Sequence, residues 1–479
     1  MTALDLITIL PALILCGWSG LLLLADLFIP AGRKQWTGWL ALAGLLASGV
    51  STVAWLGRGG QTGFGGMLRI DTFALLVGLI FVVAAGLTVL LAIGYLPRHG
   101  LERGEFYVLL LFSTAGMFLI TQAADLIVVF LALELLSIPL YILAGIARPR
   151  PASEEAALKY FLLGAFATGF LVYGTALAYG ATGTTNLAQM TAAVAAGKAS
   201  LALLLVGAAL ILVGLCFKVA VVPFQMWTPD VYEGAPSVVT AFMSVGAKAA
   251  GFAALLRIFL TAFPAVSTQW TLLAAILAAL TMVLGNFAAA TQTNLKRLLA
   301  YSSIAHAGYI LAGVVAAGAA TSPSLATLAS SSVVFYLIAY ALTNLGAWAV
   351  VSAVERAEGA GLQLDDYAGL GKRRPGLALA MALFMFSLTG LPPTVGFVAK
   401  FYVFRVTLET GYLWLALVGV LTSLVSAFYY LRVIAVMYMR DGEGEVFAPA
   451  ALNVVVGLTA LATLVLGIIP APLMALLPR

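Results

Sequence analysis

About 14 runs of roughly twenty apolar residues follow one another along this chain, and the short loops between them hold most of its charge. About 20 apolar residues in helical form match the ~30 Å hydrocarbon layer of a bilayer. Inside that layer every backbone N–H and C=O must be satisfied within the segment, which a helix does. The pattern leaves an all-α polytopic membrane bundle as the expected fold class. The expected spans lie at roughly 4–29, 37–57, 71–96, 105–122, 125–147, 154–181, 200–226, 237–262, 269–290, 296–318, 328–354, 374–408, 411–439 and 446–475. Composition agrees: of 479 residues, 63% are hydrophobic and 9% charged, against about 25% charged in soluble chains.

Other classes are excluded by small numbers. The net charge of +5 is spread over short loops and gives no sign of a nucleic-acid partner. Cys16 and Cys216 are too few for a disulfide framework or an iron–sulfur cluster. His99 lies in a charged loop far from His306 in sequence, which argues against bis-histidine haem, so no cofactor or metal is expected in this chain. The first residues, MTALDLITILPALILCGWSG, lack a basic region and carry Asp5, so a retained first helix is expected rather than a cleaved signal.

Basic residues concentrate in alternate loops. One set holds Arg33, Lys34, Arg98, Arg103, Arg148, Arg150, Lys296, Arg297, Arg356, Lys372, Arg373, Arg374 and Arg440. The other holds only Arg58, Arg69, Lys198 and Arg479. The richer set is expected to be cytoplasmic, which places both termini on the periplasmic side of a bacterial inner membrane.

The stretch 214–236, GLCFKVAVVPFQMWTPDVYEGAP, breaks this regularity. Lys218 stands inside an apolar helix, where a charge costs roughly 2.5–3.5 kcal/mol on insertion scales. Pro223 then removes a hydrogen bond to the carbonyl of Val219 and leaves an acceptor beside the ammonium. Broken helices at membrane depth persist where they line a cavity, so this stretch is expected in the middle of an ion path. A second break, FMFSLTGLPPTVGFVAKFYVFR at 384–405, carries Gly390, Pro392, Pro393 and Gly396 before Lys400. Two interrupted spans five apart point to an inverted repeat. The expected organisation is an N-terminal three-helix segment at 1–104, repeats at 105–262 and 269–439, and a C-terminal transmembrane helix at 440–479.

Six titratable residues inside the spans are the candidate path: Glu134, Lys159, Lys218, Lys248, His306 and Lys400. Glu134, nine residues past Asp125, lies roughly 13 Å deep and is expected to pair with Lys218. Lys159 follows Glu154 and Glu155 by five and four residues; it is either a surface pair near a helix start or a charge tuning Glu134. Lys248 sits between Gly246 and Gly251, small residues that admit a close neighbour. His306, in YSSIAHAGY, is of the residue type that ordinarily titrates near neutrality and is the expected bridge between donors and acceptors, with Ser302 and Ser303 beside it. Lys400 is expected as the mate of Lys218 in the second break. Arg257, Arg405 and Arg432 cannot deprotonate and are assigned to pairing or snorkelling.

KVAVVPFQMWTPDVYEGAPS, ELLSIPLYILAG and YSSIAHAGY together resemble the antiporter-like membrane subunits of bacterial NADH–quinone oxidoreductase, respiratory complex I, and the stretch MWTPDVYEGAP resembles the subunit N branch. The family includes Mrp-type sodium/proton antiporters. The resemblance runs from about 105 to 440. It implies 14 helices, two inverted five-helix repeats and breaks in helices seven and twelve. It also implies roles: Glu134 and Lys218 form the charged pair of a first half-channel with Lys159 beside them. Lys248 connects, His306 continues the axis, and Lys400 ends the second half-channel. Gln225 departs from the family, which often has histidine there. No long lateral helix of the kind found in the largest such subunit is expected after the last span. The implied function is proton translocation driven by redox chemistry elsewhere, with NADH, FMN, iron–sulfur clusters and quinone on partner subunits. The implied partners are other membrane-arm subunits, a sister antiporter-like subunit among them, and lipid. Two rivals remain at this point: an independent cation/proton antiporter subunit, and a structural scaffold whose buried charges only fix helix packing.

Overall fold

The computed structural model describes residues 2–356 and 359–477; Arg479, counted above in the weakly basic loops, lies outside them. Among the described residues, 13 helices are long and apolar enough to cross a membrane. A further span is built from two shorter helices, which gives the 14 expected.

Two helices, α1 (Ala3–Asp26) and α2 (Gln35–Trp55), lead into a small antiparallel hairpin of β1 (Gln61–Gly63) and β2 (Leu68–Ile70), and then α3 (Thr72–Arg98). The first group of five spans comprises α4 (Glu105–Gln122), α5 (Leu126–Ala144), α6 (Pro151–Thr182), α8 (Leu201–Val219) and α10 (Ser237–Ala262). The short α7 (Leu187–Ala195) and α9 (Trp227–Gly234) lie between them. The second group comprises α11 (Ser267–Thr291), α12 (Leu295–Ala319), α13 (Pro323–Val354), the pair α15 (Pro375–Thr389) and α16 (Val395–Glu409), and α17 (Leu413–Met439). A single turn, α14 (Leu370–Arg373), precedes α15, and α18 (Ala450–Ile468) and α19 (Ala471–Leu476) complete the described chain. Short polar side chains begin many of these helices by accepting first-turn N–H groups: Asp71, Asp125, Asn186, Asn294 and Ser322 all do so.

The two breaks share one construction. Ala220 (φ 62°) ends α8 and Gly390 (φ 90°) ends α15, each in the left-handed region. The N–H of Val221 then reaches back to Cys216 O at 2.9 Å, and that of Leu391 to Phe386 O at 3.0 Å. These closures satisfy carbonyls that a helix end leaves open. A cis X–Pro bond follows in both, at Val222–Pro223 and Pro392–Pro393. Because α8 runs toward the side of the basic loops and α15 away from it, the two constructions are inverted.

α10 and α12 form the centre of the molecule and are buried along nearly all of their membrane windows. Glycine lets them be approached: a Cβ on Gly251 would strike Val219 of α8, and one on Gly308 would strike Met282 of α11. Large apolar side chains such as Leu21, Phe166, Leu424 and Leu461 are exposed at the periphery, as a lipid-facing belt requires.

Candidate functional site

In the first group, α5 supplies Glu134 and Ser137, α6 supplies Tyr160 and Thr168, and α8 supplies Lys218. Lys218 is 4% exposed. Its Nζ donates to Ser137 Oγ at 2.8 Å and Tyr160 OH at 3.3 Å, and stands 5.5 Å from the Tyr160 ring centre. Glu134 and Lys218 are therefore near each other but not in direct contact, contrary to the expected pair. Glu134 instead accepts from Thr168 Oγ1 at 2.9 Å and makes no ion pair within 4.0 Å among the described residues. Ser137, one helical turn past Glu134, takes the intervening position. A cavity of about 10 Å³ lies among Ser137, Thr168 and Lys218, close to the room one water requires.

Lys159 is not beside this pair. Its Nζ holds Glu155 and Asp230, both at 2.6 Å, and its side chain is 40% exposed. Being near the start of α6, it reaches the rim rather than the interior, as the surface-pair alternative described. Asp230 is also held by Arg297 at 3.0 Å. Burial pushes the Asp230 carboxyl up, but hydrogen bonds from Lys159 and Arg297 outweigh it and keep the group below the ordinary range. Beside Lys218 the end of α8 closes on itself, Val221 N–H donating to Cys216 O, and Phe217 O accepts from Trp227 Nε1 at 3.1 Å.

Lys218 leads to the centre through packing. Its stem lies against Gly251 of α10, one turn after Lys248. Lys248, 3% exposed, donates to Ser303 O at 2.5 Å and Ser303 Oγ at 2.6 Å. His306, one turn further along α12, has Nδ1 2.8 Å from Tyr336 OH and Nε2 3.3 Å from Tyr430 OH. Ser302 Oγ is hydrogen-bonded to the same Tyr430 hydroxyl. The Tyr340 ring stands between the two groups, its centre 5.2 Å from the imidazole and 5.9 Å from Lys248 Nζ.

Lys400 closes the series. It donates to Thr389 O at 2.8 Å, the carbonyl left at the end of α15, and to Ser423 Oγ at 2.9 Å. Its Nζ lies 4.8 Å from the Tyr309 ring centre. The Tyr309 ring also packs edge-on against His306 at 5.6 Å. The expected equivalence of Lys218 and Lys400 needs correction. Lys218 precedes its break and sits on the first half-helix, whereas Lys400 follows its break and sits on the second. They meet matching breaks from opposite sides.

The structure thus gathers Lys218, Lys248, His306 and Lys400 in one buried file with Glu134 at its edge, and leaves Lys159 at the surface. Sequence reasoning named Ser302 and Ser303 but missed the other hydroxyl groups that join them: Ser137, Tyr160, Tyr336 and Tyr430. A signal for Ser137 was present, because it follows Glu134 by three on a shared helix face, as Ser303 precedes His306 by three. It also missed two charges, Lys296 and Glu355, both fully buried. The three arginines pair as expected. Arg257 grips Asp71 at 2.6 and 2.8 Å, Arg405 holds Glu409 at 2.8 Å, and Arg432 donates to Gln292 O. Asp71 is pushed up by burial, yet Arg257 holds it below the ordinary carboxylate range.

A buried file of lysines and one histidine, threaded between two inverted broken helices, defines an ion-translocating multi-pass membrane protein. The chain matches the family described as NADH:quinone oxidoreductase/Mrp antiporter, TM, over residues 123–426, and it belongs to that family. It is 50% identical over 481 residues to the NADH-quinone oxidoreductase subunit N of Chloroflexus aggregans, covering 99% of this chain and 97% of that one. The NADH-quinone oxidoreductase subunit N of Trichlorobacter lovleyi is likewise 50% identical, over 98% of this chain and 95% of its own length. A chain of respiratory complex I from Thermus thermophilus superposes with a TM-score of 0.83 at 36% identity, covering 97% and 98% of the two chains. A chain of the Mrp complex from Dietzia sp. shares the fold, with a TM-score of 0.84 at 24% identity over 99% and 95%.

Proposed function

We propose that this chain is a proton-translocating membrane-arm subunit of a respiratory NADH–quinone oxidoreductase. The observation that carries the reading is the buried file from Ser137 and Lys218 through Lys248–Ser303 and the His306 tyrosines to Lys400, hydrogen-bonded within each cluster and joined between clusters by packed stems and rings. Each lysine is bound by neutral hydroxyls or carbonyls rather than by a carboxylate. Lysine in such desolvated surroundings exchanges its proton readily, and hydroxyl groups both accept and donate. Protons pass laterally between the half-channels. Moving one charge against 100 mV takes about 2.3 kcal/mol, a load that shifts of one or two pKa units at buried groups can meet.

The NADH, FMN, iron–sulfur and quinone chemistry resides on partner subunits. Glu134 is half-buried on an outward face of α5 and α6, where lipid contact with a carboxylate would be costly. A neighbouring membrane subunit, a sister antiporter-like chain among the candidates, covers that face. The basic loops face the cytoplasm of a bacterial inner membrane, and both ends of the chain face the periplasm. Subunit N relatives at 50% identity support this reading over an independent cation/proton antiporter.

The test is Lys218→Ala in the assembled complex, with assembly checked on a native gel. Quinone reduction and proton pumping are expected to fall together, and pumping by the wild type is expected to be indifferent to Na⁺ and K⁺. Unchanged coupled turnover would reduce the buried charges to packing, and pumping that requires Na⁺ or K⁺ would favour the antiporter.

A further inference from the structure

A second set of buried polar groups runs at right angles to the file, from Lys248 toward the side of the basic loops. On α10, Lys248, Ser244, Thr240 and Ser237 share one face; on α13, Tyr340, Asn344 and Trp348 share another, and Glu355 caps the C-terminal end of that helix. The faces meet rung by rung. Lys248 Nζ stands over the Tyr340 ring, and Asn344 Nδ2 donates to Ser244 Oγ at 2.7 Å. Thr240 Oγ1 donates to Tyr232 O at 3.1 Å, and the Tyr232 ring packs on Trp348 at 6.2 Å.

The last rung holds the two buried charges. Glu355 Oε2 accepts from Tyr95 OH at 2.9 Å, and that hydroxyl accepts from Ser237 N–H at 3.3 Å. Lys296 Nζ lies 3.8 Å from Glu355 Oε1 but spends its short hydrogen bond on Ala235 O at 2.6 Å. Glu355 and Lys296 are both 0% exposed. The way out is short. Tyr95 stacks on His99 at 3.9 Å, and half-buried His99 belongs to the loop that follows α3.

Among the described residues, five enclosed side-chain atoms between Lys248 and Glu355 have no hydrogen-bond partner: Ser237 Oγ, Tyr340 OH, Asn344 Oδ1, Trp348 Nε1 and Glu355 Oε1. These five residues are at most 3% exposed. Leaving such an atom unpaired costs about 1–3 kcal/mol, and buried polar atoms of this kind are ordinarily met by internal water. The rungs from Tyr340 to Glu355 cover roughly 22 Å of helix, a distance that waters and hydroxyls together can bridge.

We propose that Glu355 is the proton-loading carboxylate of a central inlet at the seam between the two helix groups, and that water held between α10, α12 and α13 carries its proton to Lys248. The inference rests on the proton-path reading above and adds an entrance that neither break provides. A proton taken from water near His99 forms an O–H bond on Glu355. It then leaves along the waters beside Trp348 and Asn344 and ends on the lone pair of a neutral Lys248 amine, so each step moves one proton and no electrons. Lys296 and Tyr95 position the carboxyl. Burial pushes the Glu355 carboxyl up, and the Lys296 ammonium opposes it and holds it below the ordinary range, so the resting group is the ionised acceptor.

The test compares variants in the assembled, membrane-bound complex by quinone reduction and proton pumping. Glu355→Gln is expected to slow both roughly tenfold or more, with partial recovery in Glu355→Asp. The doubly neutral Glu355→Gln/Lys296→Met variant separates loading from packing: a structural ion pair would be relieved by removing both charges, whereas a loading site stays impaired. Asn344→Leu keeps both charges and the number and branching of side-chain heavy atoms, and is expected to slow coupled turnover several-fold; it decides the matter if the charge variants do not assemble. Wild-type coupled turnover in Glu355→Gln, in the double variant or in Asn344→Leu would overturn the inlet, provided Lys248→Met is impaired. Wild-type turnover in Lys248→Met would instead overturn the path itself.

Discussion

Ser137 is the smallest group on which the first half of the path depends. Its hydroxyl donates to Leu133 O at 2.5 Å and accepts from Lys218, so it holds the ammonium one turn from Glu134 while keeping the two apart. A hydrogen bond to a charged group is worth about 1.5–3 kcal/mol. Ser137→Ala is therefore expected to leave assembly intact and lower coupled quinone reduction roughly tenfold, read as a rate in native membranes; wild-type rates would remove Ser137 from the path. Lys159 behaves oppositely. Its two partners are partly exposed, and such pairs are worth about 0–1 kcal/mol, so Lys159→Ala is expected to stay within about fivefold of wild type by the same assay. These contrasts mark how far residues were legible in the sequence. A charge in an apolar run announces itself, and Lys218, Lys248, His306 and Lys400 were found that way. Hydroxyls away from such a charge do not, because serine and tyrosine are unremarkable in membrane helices and their role comes only from what faces them; Ser302 and Ser303 were noticed only because His306 follows them. Lys296 and Glu355 were hidden by their places at helix ends, where the sequence reads as loop, although neighbouring helices cover both.

At the scale of elements, the breaks were the clearest signal, since proline and glycine inside an apolar run admit few readings. Residue order already showed that Lys218 precedes its break and Lys400 follows its own, but the contact each lysine makes with its break was not legible. Ten residues separate Gly390 from Lys400 along the chain, and only the turn between α15 and α16 folds the lysine back onto Thr389. A Cβ at Gly390 would lie 2.8 Å from Lys400 Cδ, and a non-glycine residue in the left-handed region costs about 1–2 kcal/mol. Gly390→Ala is expected to lower the melting temperature of the detergent-solubilised complex and to cut coupled turnover more than that loss explains. Ala220→Gly, at the matching position, relieves the same strain and is expected to change stability by less than about 1 kcal/mol. Equal effects at the two sites would contradict the asymmetry of the lysines.

Across the whole molecule, the N-terminal helices brace both groups of spans. Asp71, at the start of α3, and Arg257 of α10 join the two at the side away from the basic loops, and Arg257 also donates to Thr121 O at 2.8 Å. Removing one member of a largely buried pair costs on the order of 3 kcal/mol, so Asp71→Asn is expected to lower the thermal midpoint of the solubilised complex. Because Asp71 titrates below the ordinary carboxylate range in the fold, its contribution is complete above the unfolded value near 4. It is lost only as pH falls through the lower folded value, and the wild-type and Asn midpoints should converge there. A gap that persists through strongly acidic pH would contradict the pairing.

The central claim is that one proton path runs through the subunit and that Lys248 joins its two halves. The most direct measurement is the rate of quinone reduction and of proton pumping by assembled Lys248→Met complex in sealed vesicles. The account predicts that both fall together by roughly tenfold or more while electron input to the partner subunits remains intact. Full quinone reduction with full pumping would contradict it.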